Sequence, residues 1–100
     1  MSLEWEQVVV DALDPRTLGR WWASALGWAV VAEADDEVAI RPAPDRLPGI
    51  LFVPVGDLQG TKNRLHLDFR PTDQQAEVAR LLALGAQEAD IGQGEQTWVV

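Results

Sequence analysis

The chain contains one structural pattern twice, about 59 residues apart. Each copy begins with a short apolar run, Gln7 to Asp11 in the first and Leu65 to Phe69 in the second. Each run leads into a helical stretch that ends in Ala-Leu-Gly, at Gly27 and at Gly85. A fixed internal repeat predicts two copies of one supersecondary unit that share a core neither can close alone. We therefore expect the functional site to be a cavity between the copies.

The length of 100 residues, with 47% apolar content, predicts a single small domain over residues 1–100. Within it, the first module spans about 1–56 and the second about 62–100, joined by a connector rich in glycine and polar residues.

The formal net charge of −8, from 8 basic and 16 acidic residues, argues against a nucleic-acid partner, because phosphate binding depends on clustered Lys and Arg. The same field favours cationic ligands. The absence of cysteine excludes disulfides and thiolate chemistry. The first residues include acidic side chains where a signal peptide needs basic ones, and no apolar run approaches about 18 residues. We expect a soluble cytoplasmic protein that does not bind membranes.

The first module is predicted to be β-α-β-β-β. Val8 to Val10 are β-branched and favour a strand, and Asp14 followed by Pro15 is typical of a helix start. An apolar stripe at helical spacing follows, and Gly27 can adopt the left-handed conformation that ends a helix. The stripe consists of Leu18, Trp21, Trp22, Ala25 and Leu26. Three strands are then expected over 28–34, 37–41 and 49–55, separated by turn residues.

The second module is predicted to repeat this order with a strand over 64–70 and a helix. A capping box from Thr72 to Gln75 starts the helix, which turns Val78, Leu81 and Leu82 inward and ends at Gly85. Residues 86–100 leave room for two strands, so an eighth strand would lie beyond Val100.

The alternation of side chains along the two leading strands predicts which of them face the cavity. If Leu65, Leu67 and Phe69 pack on the second helix, the residues between them face the concave side. The first strand follows the same rule. The predicted cavity floor therefore holds Gln7, Asp11, His66, Asp68 and Arg70. Such groups are costly to bury unless they pair with one another or meet a polar ligand.

These patterns resemble the glyoxalase-like domains of the glyoxalase, bleomycin-resistance and ring-cleaving dioxygenase superfamily, the vicinal oxygen chelate proteins. The resemblance rests on strand-Asp-helix-Ala-Leu-Gly-Trp in the first half and on residues 62–70 and 82–86 in the second. It covers the whole chain and is greatest for the small subgroup common in actinobacteria. It implies an α+β fold in which paired β-α-β-β-β modules form a half-open mixed β-barrel. It also implies a homodimer.

The resemblance further implies one divalent metal held by residues from strands one, four, five and eight. Gln7 and His66 match the strand-one and strand-five positions. Strand four, residues 50–54, offers no ligand, and the strand-eight residue would lie beyond Val100. A Lewis-acid metal needs about three protein ligands, so the set is incomplete and leaves open whether the protein is an enzyme.

Each candidate residue also has a structural interpretation. His66, Asp68 and Asp11 are the catalytic candidates, but His66 could be a hydrogen-bonded structural histidine, and Asp68 with Arg70 could form an ion pair crossing to Asp11. Arg70, Phe52 and Trp98 are the candidates for substrate binding. For Phe52 and Trp98 the alternative is the core, which is the interpretation that the sequence favours.

Two classes of function remain open at this point, beside a third possibility, a degenerate superfamily member retained as an interaction module. In one, a metal polarises adjacent oxygens of a small substrate while Asp68 or Asp11 moves a proton, which gives lyase, isomerase or dioxygenase chemistry. In the other, the cleft holds a small molecule without turnover, as the drug-sequestering members of the superfamily do. The sequence does not identify the ligand.

Overall fold

A computed structural model describes residues 2–56 and 66–89. These residues form four strands and two helices, namely β1 (Gln7–Ala12), α1 (Pro15–Leu26), β2 (Ala29–Glu33), β3 (Val38–Arg41), β4 (Gly49–Pro54) and α2 (Gln74–Ala83). The chain divides into two compact units, Met1–Leu58 and Gln59–Val100. Neither described helix is long and apolar enough to cross a membrane. The predicted α+β class is confirmed.

Both ends of α1 follow the sequence prediction. The Asp14 carboxylate accepts hydrogen bonds from the Thr17 backbone N–H at 3.3 Å and from the Thr17 hydroxyl at 2.7 Å. These bonds lower the pKa of Asp14 below its ordinary value. Pro15 occupies the first turn, where a missing N–H costs nothing. Gly27 ends the helix with φ 67° and ψ 33°, a left-handed conformation that glycine adopts without strain.

Unit one contains one mixed sheet with the strand order β1-β4-β3-β2. β1 runs parallel to β4, and the other neighbours are antiparallel. One row of register partners crosses all four strands through Val9, Leu51, Ala39 and Ala32. This is the β-α-β-β-β arrangement predicted for the first module.

The core of unit one lies between α1 and the sheet. Val38 pairs with Phe52 and Ile40 with Ile50, so all four side chains point to the same face. They are buried there together with Ala23 of the helix. Burial of each large side chain contributes roughly 1.5–3 kcal/mol, which is enough to fix one face of the sheet against α1.

An ion-pair cluster joins α1 to the edge strand β2. Glu33 is the register partner of Val38 and therefore lies on the helix side of the sheet. Its Oε1 is 2.6 Å from Nη2 of Arg20 and 3.1 Å from Nε of Arg16. Hydrogen bonds from Arg20 and from Arg16 lower the pKa of Glu33 below its ordinary value. The hydrogen bond between Arg20 and Glu33 also raises the pKa of Arg20.

In unit two, α2 starts one residue later than predicted. The N-cap is Asp73, whose side chain accepts from the Ala76 backbone N–H at 3.1 Å, so the capping box at Thr72 is wrong. The reason is that Asp is the stronger N-cap residue and stands next to Thr72 in the sequence. The C-terminal end agrees with prediction, because Gly85 has φ 105°.

The predicted inward face of α2 is confirmed only in part. Val78 and Leu81 are half-buried, but the side chain of Leu82 is 46% exposed. Successive helical residues are rotated by about 100°, so a narrow buried stripe can include Leu81 and still leave Leu82 at its border.

The predicted strand over 64–70 is not formed in its described part, residues 66–70. Phe69, expected to pack on the helix, is 56% exposed. Alternation of side chains alone does not fix a strand, since strand propensity reflects packing against adjacent strands. No strand forms over 86–89 either. The rest of the two expected final strands lies outside the described residues.

Candidate functional site

The two faces of the unit-one sheet differ in what packs on them. The helix α1 covers one face. We call the opposite face the open face, because no helix described in unit one packs on it. The register identifies the residues whose side chains lie on this face. They are Gln7, Val9, Asp11, Ala29, Ala32, Ala39, Arg41, Leu51 and Val53.

The middle of the open face is apolar. Val9 is 54% exposed, and its register partner Leu51 and the next residue in the row, Ala39, are half-buried. Strands lie about 4.8 Å apart, so this row of three side chains spans about 10 Å. This dimension suits the apolar body of a small molecule.

Polar side chains of β1 stand on both sides of this row. Gln7 is half-buried at the start of the strand and Asp11 is exposed near its end, about 13 Å away at the usual rise per residue. Both lie on the face opposite α1, because Val10 packs against the core and Ala12 is buried. That this face lines a cavity stays a prediction. The catalytic role of Asp11 and the metal role of Gln7 stay predictions.

Arg41 is an open-face residue that the sequence argument missed. Its Nη2 lies 3.3 Å from Oε1 of Glu6, and its Nη1 donates to the Pro44 carbonyl at 3.2 Å. The alternation along residues 38–41 already indicates this orientation in the sequence. Val38 and Ile40 are apolar, so the side chain of the next residue, Arg41, points to the opposite face.

The structure does not place Phe52 on a binding surface. Its side chain is 1% exposed and belongs to the core beneath α1. This corrects its substrate-binding assignment in favour of the core interpretation. The physical reason is strand parity, because Phe52 pairs with Val10 and Val38 on the helix side.

The remaining predicted site residues belong to unit two. His66, Asp68 and Arg70 are exposed in the segment 66–70, where the absence of a strand removes the parity argument for their shared direction. Trp98 lies outside the described residues. The expectation that His66 and Gln7 share one cavity stays a prediction.

A metal-binding set is not complete among the described residues. Over 2–56 and 66–89, no three His, Cys, Asp or Glu side chains are grouped so that they could hold a metal ion. The strand β4 contributes Gly-Ile-Leu-Phe-Val-Pro, which contains no ligand side chain. The donors among the described residues do not by themselves make up a metal site.

Comparison with protein families identifies the chain at the level of its domain. The glyoxalase-like domain family matches residues 7–100, from the first residue of β1 onward. Searches of curated proteins and of solved structures gave no match. The match covers both repeats on which the sequence resemblance rests. The chain therefore belongs to the glyoxalase-like domain family, within the glyoxalase and vicinal oxygen chelate superfamily.

Proposed function

We propose that this glyoxalase-like domain binds a small molecule on the open face of its four-stranded sheet. The observation that carries the proposal is the sheet face opposite α1, which has an apolar row, Val9, Leu51 and Ala39, between polar side chains. Small-molecule sites typically combine an apolar surface with a few polar groups that orient the ligand. The open face has this composition.

Non-catalytic binding is the function that the described residues support best. The apolar row, Gln7, Asp11 and Arg41 are sufficient for binding and orientation. Metal-assisted lyase, isomerase or dioxygenase chemistry is a second candidate, favoured by the position of Gln7 on the open face. Stoichiometric metal in the protein, lost in His66→Ala, would favour this chemistry over binding alone.

The homodimer and the cytoplasmic location expected from the sequence stay predictions. The lack of cysteine suits a reducing compartment.

The proposal is tested by screening small aromatic compounds of neutral, anionic and cationic type against the full chain and its Val9→Glu variant. A charge placed in the centre of the apolar row should weaken the best binder by at least about tenfold, because it must be desolvated under the ligand. Dissociation constants come from chemical-shift titrations.

Val30→Glu is the matched control. Val30 is also an exposed valine on an edge strand, 43% exposed, but it pairs with Ile40 and so lies on the helix side. We expect binding by this variant to match the parent chain. Equal weakening in both variants, or no binder from any class, would count against the open face.

A further inference from the structure

We propose that Arg41 anchors a carboxylate of the small molecule bound on the open face. This inference rests on the proposed function and adds a ligand class to it: a compound with an apolar body and one anionic group. The carboxylate would take the place on the guanidinium that the Glu6 side chain now occupies.

The aliphatic part of the Arg41 side chain lies over the neighbouring strand β4 at Gly49. A Cβ atom added to Gly49 would lie 3.0 Å from Cγ of Arg41 and 2.6 Å from the Ile40 carbonyl oxygen, so the arginine crosses β4 where no side chain stands. The Gly49 backbone N–H donates to the Glu6 carbonyl at 2.9 Å. Arg41 therefore reaches from β3 over Gly49 to the entrance of β1.

The guanidinium retains hydrogen-bonding capacity in this position. Of its five N–H donors, two have acceptors among the described residues, the Pro44 carbonyl and the Glu6 carboxylate. The Pro44 bond orients the group, while the contact to Glu6 is 3.3 Å long and the Glu6 side chain is 61% exposed. An exposed pair of this kind contributes little free energy, so a second carboxylate can replace it.

The row next to Arg41 on the open face is the apolar one. Ala39 and Leu51 are register partners, as are Ile40 and Ile50, so Arg41 and Gly49 lie two residues farther along their strands and on the same face as Ala39 and Leu51. A carboxylate on the guanidinium would place an attached ring against the row. An aromatic carboxylate fits both features.

The net charge of −8 opposes an anion at long range. That field is screened over about 8 Å at physiological ionic strength, whereas a guanidinium in contact with a carboxylate forms charge-assisted hydrogen bonds. The contact interaction decides the preference once the ligand is seated. The long-range repulsion between the negatively charged protein and the anion acts on the association rate.

The test measures the dissociation constants of two probes, benzoate and its neutral counterpart benzyl alcohol, for the full chain by chemical-shift titration. We expect both to shift resonances of the open face and benzoate to bind about fivefold more tightly, the effect of one favourable exposed charge contact. Arg41→Gln should bring the ratio to about one while benzyl alcohol binding is retained, which shows that the face is still folded. Arg41→Lys should keep part of the preference, because it keeps the charge without the planar fork.

Two control variants, Arg46→Gln and Glu4→Gln, separate the effect of a direct contact with the ligand from the effect of a change in net charge. Arg46→Gln removes the same charge from the exposed loop beyond β3 and should leave the ratio unchanged. Glu6→Gln should strengthen benzoate binding about two- to threefold by removing the competing carboxylate, and Glu4→Gln should do so less. Equal binding of the two probes by the parent chain would overturn the role of Arg41 and leave the proposed function standing. Failure of both probes to bind the open face would overturn both the role of Arg41 and the proposed function.

Discussion

Gly19 is the residue at which α1 approaches the sheet most tightly. An added Cβ would lie 2.9 Å from Cβ and Cγ1 of Val38 and 3.0 Å from Cδ2 of Phe52. These atoms belong to buried side chains, so they have no room to move away. Gly19→Ala gains about 1 kcal/mol of helix propensity but overpacks the core at a cost of about 1–3 kcal/mol. We expect a net loss of about 1 kcal/mol in the free energy of unfolding, measured by urea denaturation.

Ser24→Ala is the control at an exposed position of the same helix. It should stabilise the protein by about 0.5 kcal/mol, because only helix propensity changes. A stabilising Gly19→Ala would show that the helix does not lie as close to the sheet as the structure places it.

Single residues at the ends of elements were predictable where one local interaction decides the conformation. Asp14 and Gly27 satisfy the orphan groups of α1 without help from the rest of the fold. Asp73 replaced Thr72 as the cap of α2 because two capping residues are adjacent and Asp is the stronger of the two. Arg41 was missed because parity was applied only to the two leading strands.

At the scale of elements, Glu33 links α1 to the edge strand β2. Its pKa is lowered below the ordinary value near 4.5, chiefly by Arg20. The folded state therefore binds this proton less readily than the unfolded state does, so the ion pair stabilises the fold above that ordinary value. We expect Glu33→Gln to be less stable than the parent chain at neutral pH. The difference should disappear as the pH falls through the lowered pKa.

The measurement is the difference in free energy of unfolding between the two proteins, followed from neutral to acid pH. Asp14, whose pKa is also lowered, is present in both proteins, so its contribution cancels in the difference. Glu37→Gln removes the same charge from the turn before β3 and is the control. A difference for Glu33→Gln that stays constant down to strongly acid pH would rule out the ion pair as its source.

The elements of the first module were predictable because their patterns are strong and their partners are close in sequence. All four strands and α1 form within a few residues of the predicted bounds. The segment 64–70 has an equally clear alternation, yet its described part, 66–70, forms no strand. A strand depends on partners that alternation does not specify.

At the scale of the whole molecule, family membership was predictable and the site only in part. The repeat led to the glyoxalase-like family, and the family match covers residues 7–100. Gln7 and Asp11 lie on the open face as predicted, since parity along one strand is a local property. The prediction that these residues share a cavity with His66 depends on how the two modules assemble, which no local pattern encodes.

Binding of the ligand to the open face, and not to the helix side, is the central prediction for the whole molecule. The direct measurement is the set of intermolecular nuclear Overhauser effects between the best-binding aromatic compound and the methyl groups of the full chain. We predict contacts to Val9, Leu51 and Val53, which belong to the open face. Contacts confined to Val30, Leu18 and Leu26, or to methyl groups outside unit one, would contradict it.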